Sequence, residues 1–148
     1  MRSSIRSRVW RAAVLVLAVA LVYGVDARQG KAMNTPLSAI KWQPYAAGSP
    51  LQVAMLWGDR TKAAEYAMYL KMPAGFEAGR HSHTNDYHGV AIQGIWIHTN
   101  DGGKPVELTA GGHVLQPGKQ VHNDSCKGTT ECILLIHQMG PGDFIPAK

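Results

Sequence analysis

Three of the chain's seven histidines, His81, His83 and His88, fall within GRHSHTNDYHG (79–89), with Asp86 and Tyr87 among them. Neutral imidazole is the side chain most used to hold a transition metal. The His-x-His spacing does this work only in an extended chain, where residues two apart project from the same face; on a helix the two rings would diverge. On a strand, His81 and His83 form a two-nitrogen clamp for an ion at about 2.0 to 2.1 Å per bond. A third ligand must come from elsewhere, and His122, which follows QPGKQ after a strand-like run, is the candidate.

The second half of the stretch poses a choice. If the strand runs without a bulge, Tyr87 shares a face with Gly89 and Ala91 while His88 shares one with Val90 and Ile92, so only one of the two looks inward. A β-bulge would let His88 in as a fourth ligand. Asp86 is a candidate to hydrogen-bond a ligand histidine from behind, and His113, in the segment leading to His122, is another. His98 and His137 read as ordinary strand or surface histidines.

The elements that must position these residues are short strands. LQVAMLWG, AEYAMYLKM, GRHSH, YHGVAIQG, IWIHTN, PVELTA, HVLQPG and CILLIHQ are separated by Gly, Pro, Asp and Asn, the pattern of an all-β sandwich or barrel. Residues 61–72 are also rich in helix formers. Their alternation of Ala64, Tyr66, Met68 and Leu70 against Glu65, Ala67, Tyr69 and Lys71 suits a strand, stopped by Pro73. NDGG (100–103) is the clearest hairpin turn. The barrel is expected over residues 51–148, with 28–50, broken by Pro36, Pro44 and Pro50, as a leader segment. Trp57, Trp96, Tyr66, Tyr69, Met68 and Met72 read as barrel core or as the apolar walls of a substrate pocket.

Residues 1–27 have the layout of a secretory signal peptide: Arg2, Arg6, Arg8 and Arg11, then an apolar or small run from Ala12 to Val25, with cleavage expected after Ala27. The run is shorter than the about 20 residues that span a membrane, so stable insertion after cleavage is not expected. The formal charge of +5 shrinks without this segment: four of the fifteen basic and one of the ten acidic side chains lie in it, leaving eleven against nine. That balance gives no electrostatic footprint for nucleic acid. Cys126 and Cys132 flank KGTTE, which is not a zinc spacing; two strand residues facing each other across a hairpin loop would lie within disulfide reach. In an oxidising periplasmic or extracellular compartment the pair is expected to be bridged, as a local staple of about 2 kcal/mol on the chain-entropy model.

The residues resemble a family. The cupins are small β-barrels, jelly-roll in type, built on Gly-x5-His-x-His-x(3,4)-Glu-x6-Gly and Gly-x5-Pro-x-Gly-x2-His-x3-Asn. Gly75, His81, His83 and Gly94 match the first motif in spacing, and Gly111, Pro117 and His122 match the second. The run from Gly58 to His83, with HGVAIQG, is most similar to small bacterial cupins related to the domain of ChrR-type anti-sigma factors. Two departures stand out: Tyr87 or His88 occupies the position of the glutamate ligand, and Cys126 stands where the second motif has asparagine. Gly118 is also one position early against that motif's inner glycine.

Three neutral imidazoles leave a divalent ion with its full charge and with open positions, the arrangement of a catalytic rather than a closed structural site. The donor set suits one divalent transition metal, Fe, Zn, Ni, Cu or Mn. Resemblance to three-His cupin oxygenases implies Fe(II) dioxygenase-type oxidation of a small molecule. The alternatives are a metal-assisted hydrolase or isomerase, and a non-catalytic module that binds or senses a metal or small ligand. The resemblance also allows a homodimer.

Overall fold

The computed structural model describes residues 32–148, so the expected signal peptide at 1–27 lies outside the described residues. After a single 3-10 turn (Leu37–Ala39) the chain forms β1 (Gln43–Pro44), β2 (Gln52–Trp57), β3 (Glu65–Met72), β4 (His81–Ser82), β5 (Tyr87–Gln93) and β6 (Ile95–Asn100). β7 (Val106–Leu108), β8 (His113–Gln116), β9 (His122–Lys127), β10 (Cys132–Met139) and β11 (Ile145–Pro146) complete it. Two antiparallel sheets result, one in the order β1-β2-β3-β10-β5-β8 and the other β11-β4-β9-β6-β7. From β3 onward nearly every connection crosses from one sheet to the other. This all-β, jelly-roll-type architecture is the one expected.

Side-chain alternation explains the layering. In β3, Tyr66, Met68, Leu70 and Met72 face the interior, where they meet Leu134 and Ile136 of β10 and Trp96 of β6. The stretch with helix-forming composition is therefore a strand, because its period-2 apolar face finds a sheet partner on each side: β2 and β10. Trp96 is fully buried. It sits so close to the β5 backbone that a Cβ at Gly89 would lie 2.7 Å from its ring, so only glycine fits there. Two of the expected pocket aromatics face outward instead: Trp57 is 54% exposed, against His137, and Tyr69 packs with Trp42. The segment expected as a leader contributes β1, which pairs with β2, and Tyr45, which lines the interior cavity.

β9 (HNDSCK) was not among the sequence-predicted strands. It lacks β-branched and aromatic residues, so propensity reads it as loop. It nevertheless pairs with β6 along its whole length, placing Cys126 opposite Trp96, Asp124 opposite His98 and His122 opposite Asn100. The Cys126–Cys132 disulfide is present, but it does not close a hairpin. β9 and β10 belong to different sheets, so the bridge, with a Cα separation of 5.7 Å, ties the two sheets together at the end of β9 away from His122.

The turn before β9 explains the shifted glycine. The residue at the motif's glycine position is Lys119, at φ 65°, the left-handed conformation that glycine tolerates best. Its N–H donates to the His83 carbonyl (2.6 Å). Gly118 is needed for a different reason: a Cβ there would lie 2.5 Å from the Thr84 carbonyl oxygen. The turn is thus pressed onto the chain just after His83, and this contact sets the approach of His122. Replacing Lys119 with Gly should therefore raise stability by up to about 1 kcal/mol, whereas Gly118→Ala should lower it by about 1 to 3 kcal/mol. Denaturant melts of the two variants check this, and a less stable Lys119→Gly would contradict it.

Candidate metal centre

β4 and β9 meet through a single pair, His81 opposite His122. His83 follows directly after β4, and all three rings turn into the barrel, with ring centroids 4.2 Å (His81–His122), 5.0 Å (His81–His83) and 5.2 Å (His83–His122) apart. One ligand nitrogen from each lies within 4.8 Å of the others, and this group could hold a metal ion. In each ring Nδ1 faces a backbone carbonyl: Gly79 for His81 (2.8 Å), Asp143 for His83, and Gln120 for His122 (3.2 Å). A carbonyl can only accept, so each Nδ1 carries the hydrogen and each Nε2 presents its lone pair to the centre. Burial, and behind it the neighbouring imidazoles, lowers His81 to about 4, and burial likewise lowers His83. Both rings are neutral at physiological pH, the form that binds metal. The residues present therefore fit a divalent transition ion.

Tyr87, not His88, faces this centre. β5 pairs regularly with β10 from Tyr87 to Ala91, and its one irregularity lies at the far end, between Ala91 and Gln93. No bulge turns His88 inward; it is exposed on the outer face, with Nδ1 3.1 Å from Nε2 of His113. This corrects the expectation for both histidines, neither of which touches the inner cluster. The Tyr87 hydroxyl stands 3.5 Å from His122 Nε2. Burial and the neighbouring Asp124 raise its pKa well above 10, so it remains a phenol. Asp86 does not reach a ligand histidine either: its Oδ1 accepts from the Gly118 N–H (2.7 Å), which fastens the turn described above.

Two residues at the centre were not singled out from the sequence as part of it. Asp124, two positions after His122, faces the same way. Its Oδ1 accepts from Trp96 Nε1 (2.6 Å) and His98 Nδ1 (2.8 Å), and its Oδ2 lies 3.4 Å from His122 Nε2 and 3.8 Å from His81 Nε2. Burial alone would raise this carboxyl, but the neighbouring His122 and the hydrogen-bonded His98 outweigh that and hold it below the usual range, as a carboxylate. His98, expected to be an ordinary histidine, is buried; burial would lower it, yet the hydrogen bond and charge of Asp124 raise it on balance. The signal for Asp124 was the His-x-Asp spacing, which becomes informative only once β9 is known to be a strand.

The C-terminal segment closes the site. Asp143 accepts from the Thr84 backbone N–H (2.9 Å) and hydroxyl, Phe144 stacks on His81 (4.3 Å, 20°), and β11 pairs with β4. Beneath the histidines an apolar cavity of about 80 Å³ is walled by Met68, Leu70, Met72, Phe76, Leu134 and Ile136. Its polar lining includes Tyr66, whose hydroxyl donates to Gln138 Oε1 (2.7 Å), and Tyr87.

Residues 45–147 match the model of a family described as a domain of unknown function, DUF4437. The chain belongs to this family. No curated protein matches its sequence. Among solved structures it is similar to an RmlC-like cupin protein from Ralstonia eutropha (25% identity, 73% of this chain and 70% of that one, TM-score 0.58). It is also similar to the DMSP lyase DddQ from Ruegeria pomeroyi (17%, 76% and 68%, TM-score 0.57) and to a sugar phosphate isomerase of the cupin superfamily from Silicibacter pomeroyi (13%, 72% and 75%, TM-score 0.58). The fold of this DUF4437 member is that of the cupins.

The depressed pKa of His81 has a signed consequence. Its folded value, about 4, lies below the unfolded value of about 6.5, so the unfolded chain takes up the proton first. Its contribution to stability is complete above pH 6.5 and is lost as pH falls from there through 4. An NMR titration of the metal-free protein should place the His81 midpoint near 4; a midpoint near 6.5 would contradict the buried, neutral ring.

Proposed function

We propose that the protein is a metal-dependent enzyme acting on a small molecule. The observation that carries this is the convergence of three Nε2 lone pairs beside an apolar cavity that His81 and His83 help to line, each ring fixed by a carbonyl behind it. His81, His83 and His122 would hold a divalent ion there, which would supply a Lewis acid to a polar group of the substrate. The chain's own residues do the rest. Met68, Met72, Phe76 and Leu134 receive the apolar body of the substrate, and Phe144 and Asp143 hold the C-terminal segment over the histidines. The substrate class is a small molecule with one chelating polar end.

Within this reading, Fe(II)-dependent oxygenation is the first assignment, supported by the three-imidazole set and the resemblance to three-His cupin oxygenases. A second reading is favoured by Tyr87: a neutral phenol beside the histidines can give a proton to a bound substrate, the general-acid half of the proton transfers that eliminating or isomerising enzymes carry out. The similar solved structures include a lyase and an isomerase, which is compatible with this second chemistry. A module that binds without turnover is the rival class. Export to an oxidising compartment is part of the proposal, supported by the signal-like residues 1–27 and by the bridged Cys126 and Cys132.

Dioxygen uptake by the iron-loaded protein, with candidate small chelating substrates, is expected to separate these readings. Uptake supports oxygenation; substrate loss or rearrangement without uptake that is abolished in Tyr87→Phe supports proton transfer; stoichiometric metal with neither supports a binder and contradicts the enzyme reading. His83→Ala should abolish metal retention after dialysis, and metal that stays bound would show the assignment of His83 to be wrong.

A further inference from the structure

The first motif's glutamate is missing from β5, yet a carboxylate reaches the same centre from another strand. We propose that Asp124 Oδ2 is the fourth metal donor, and that Trp96 and His98 are the positioning residues that aim it. The inference rests on the metal-binding reading given above.

The geometry runs from strand to oxygen. β9 places Asp124 two residues after His122, so both side chains leave the same face of one strand. On the neighbouring strand β6, Trp96 and His98 share the inward face, and His98 lies directly opposite Asp124. Both donate to the same carboxylate oxygen, Oδ1, at 2.6 and 2.8 Å. That fixes the plane of the carboxylate and leaves Oδ2 turned toward the histidines. Two donors about 2.0 to 2.1 Å from one ion stand about 2.9 Å apart at a right angle and about 3.3 to 3.4 Å apart at a tetrahedral one. A five- or six-coordinate ion held by four such donors still keeps an open position for substrate. Oδ2 lies 3.4 Å from His122 Nε2 and 3.8 Å from His81 Nε2. Asp124 stands just outside the group of three histidines whose ligand atoms are all within 4.8 Å of one another, so binding must draw Oδ2 toward His83.

Tyr87 is the competitor for the position, since its hydroxyl stands 3.5 Å from the same nitrogen. A phenol must first shed a proton of ordinary pKa about 10 to become a strong donor, whereas a carboxylate is already anionic at neutral pH. The two therefore divide the work: Asp124 holds the ion, and Tyr87 keeps its hydrogen for the substrate. Three imidazoles and one carboxylate also halve the net charge of the centre, as the missing glutamate would have done.

The test uses the full chain with zinc as probe. A crystal structure of the zinc-loaded protein should show Asp124 Oδ2 about 2.0 to 2.2 Å from the ion beside the three Nε2 atoms. In solution, chelator competition should show Asp124→Asn weakening zinc by at least about tenfold, His98→Gln weakening it less, and Tyr87→Phe leaving it unchanged. An Oδ2 more than about 3 Å from the zinc, or the Tyr87 oxygen in its place, overturns the proposal even if Asp124→Asn fails to fold. Failure of the wild-type protein to take up zinc would instead defeat the metal-binding reading itself.

Discussion

Each of the three inward imidazoles donates its Nδ1–H to a backbone carbonyl, and the site depends on that arrangement. Gly79 and Gln120 hold His81 and His122 from two residues upstream in their own segments, while Asp143 holds His83 from the C-terminal segment. The bonds fix tautomer and ring plane together, so three nitrogen lone pairs point at one volume before any ion arrives. Buried imidazoles without these partners would lose a hydrogen bond each and could rotate. The carbonyls are available because their chain segments lie beside the sheet ladder rather than inside it: Gly79 precedes β4, Gln120 precedes β9, and Asp143 precedes β11.

The rest of the barrel brings these segments together and keeps water from the walls of the cavity. The connections that cross between sheets put β4 and β9 side by side in one sheet while β3, β10 and β5 supply the opposing face. Met68, Met72, Leu134 and Ile136 pack there, and their burial offsets the cost of placing His81, His122 and Asp124 in the interior. The disulfide links the sheets at one end and the C-terminal segment closes the other, so the cavity is held at both ends. A low-dielectric cavity would strengthen the electrostatic effect of an ion held beside it.

The fold class and the histidines His81, His83 and His122 could be read from the residues, because alternation and i, i+2 spacing are local properties. The choice between Tyr87 and His88 could only be posed, since it turns on whether β5 carries a bulge near its start, and that depends on its pairing with β10. Asp124 was hidden by a strand without strand-like composition. β9 spends its inward positions on His122, Asp124 and the disulfide cysteine Cys126, so the apolar signal that marks other strands is absent from it. His98 looked ordinary for the same reason, since its partner is on β9. The inter-sheet course of the disulfide was equally out of reach, because Cys-x5-Cys fits a hairpin and a crossing connection alike, and only sheet membership distinguishes them.

The central claim is that the three imidazoles are preformed to hold one ion, with His81 and His83 already neutral. Calorimetric titration of the metal-free protein with zinc at pH 7, repeated in buffers of different ionisation enthalpy, counts both ions bound and protons released. The account predicts one zinc per chain with fewer than two protons released, because His81 and His83 are already deprotonated in the folded chain. No saturable binding, or the release of two or more protons per zinc, would contradict it.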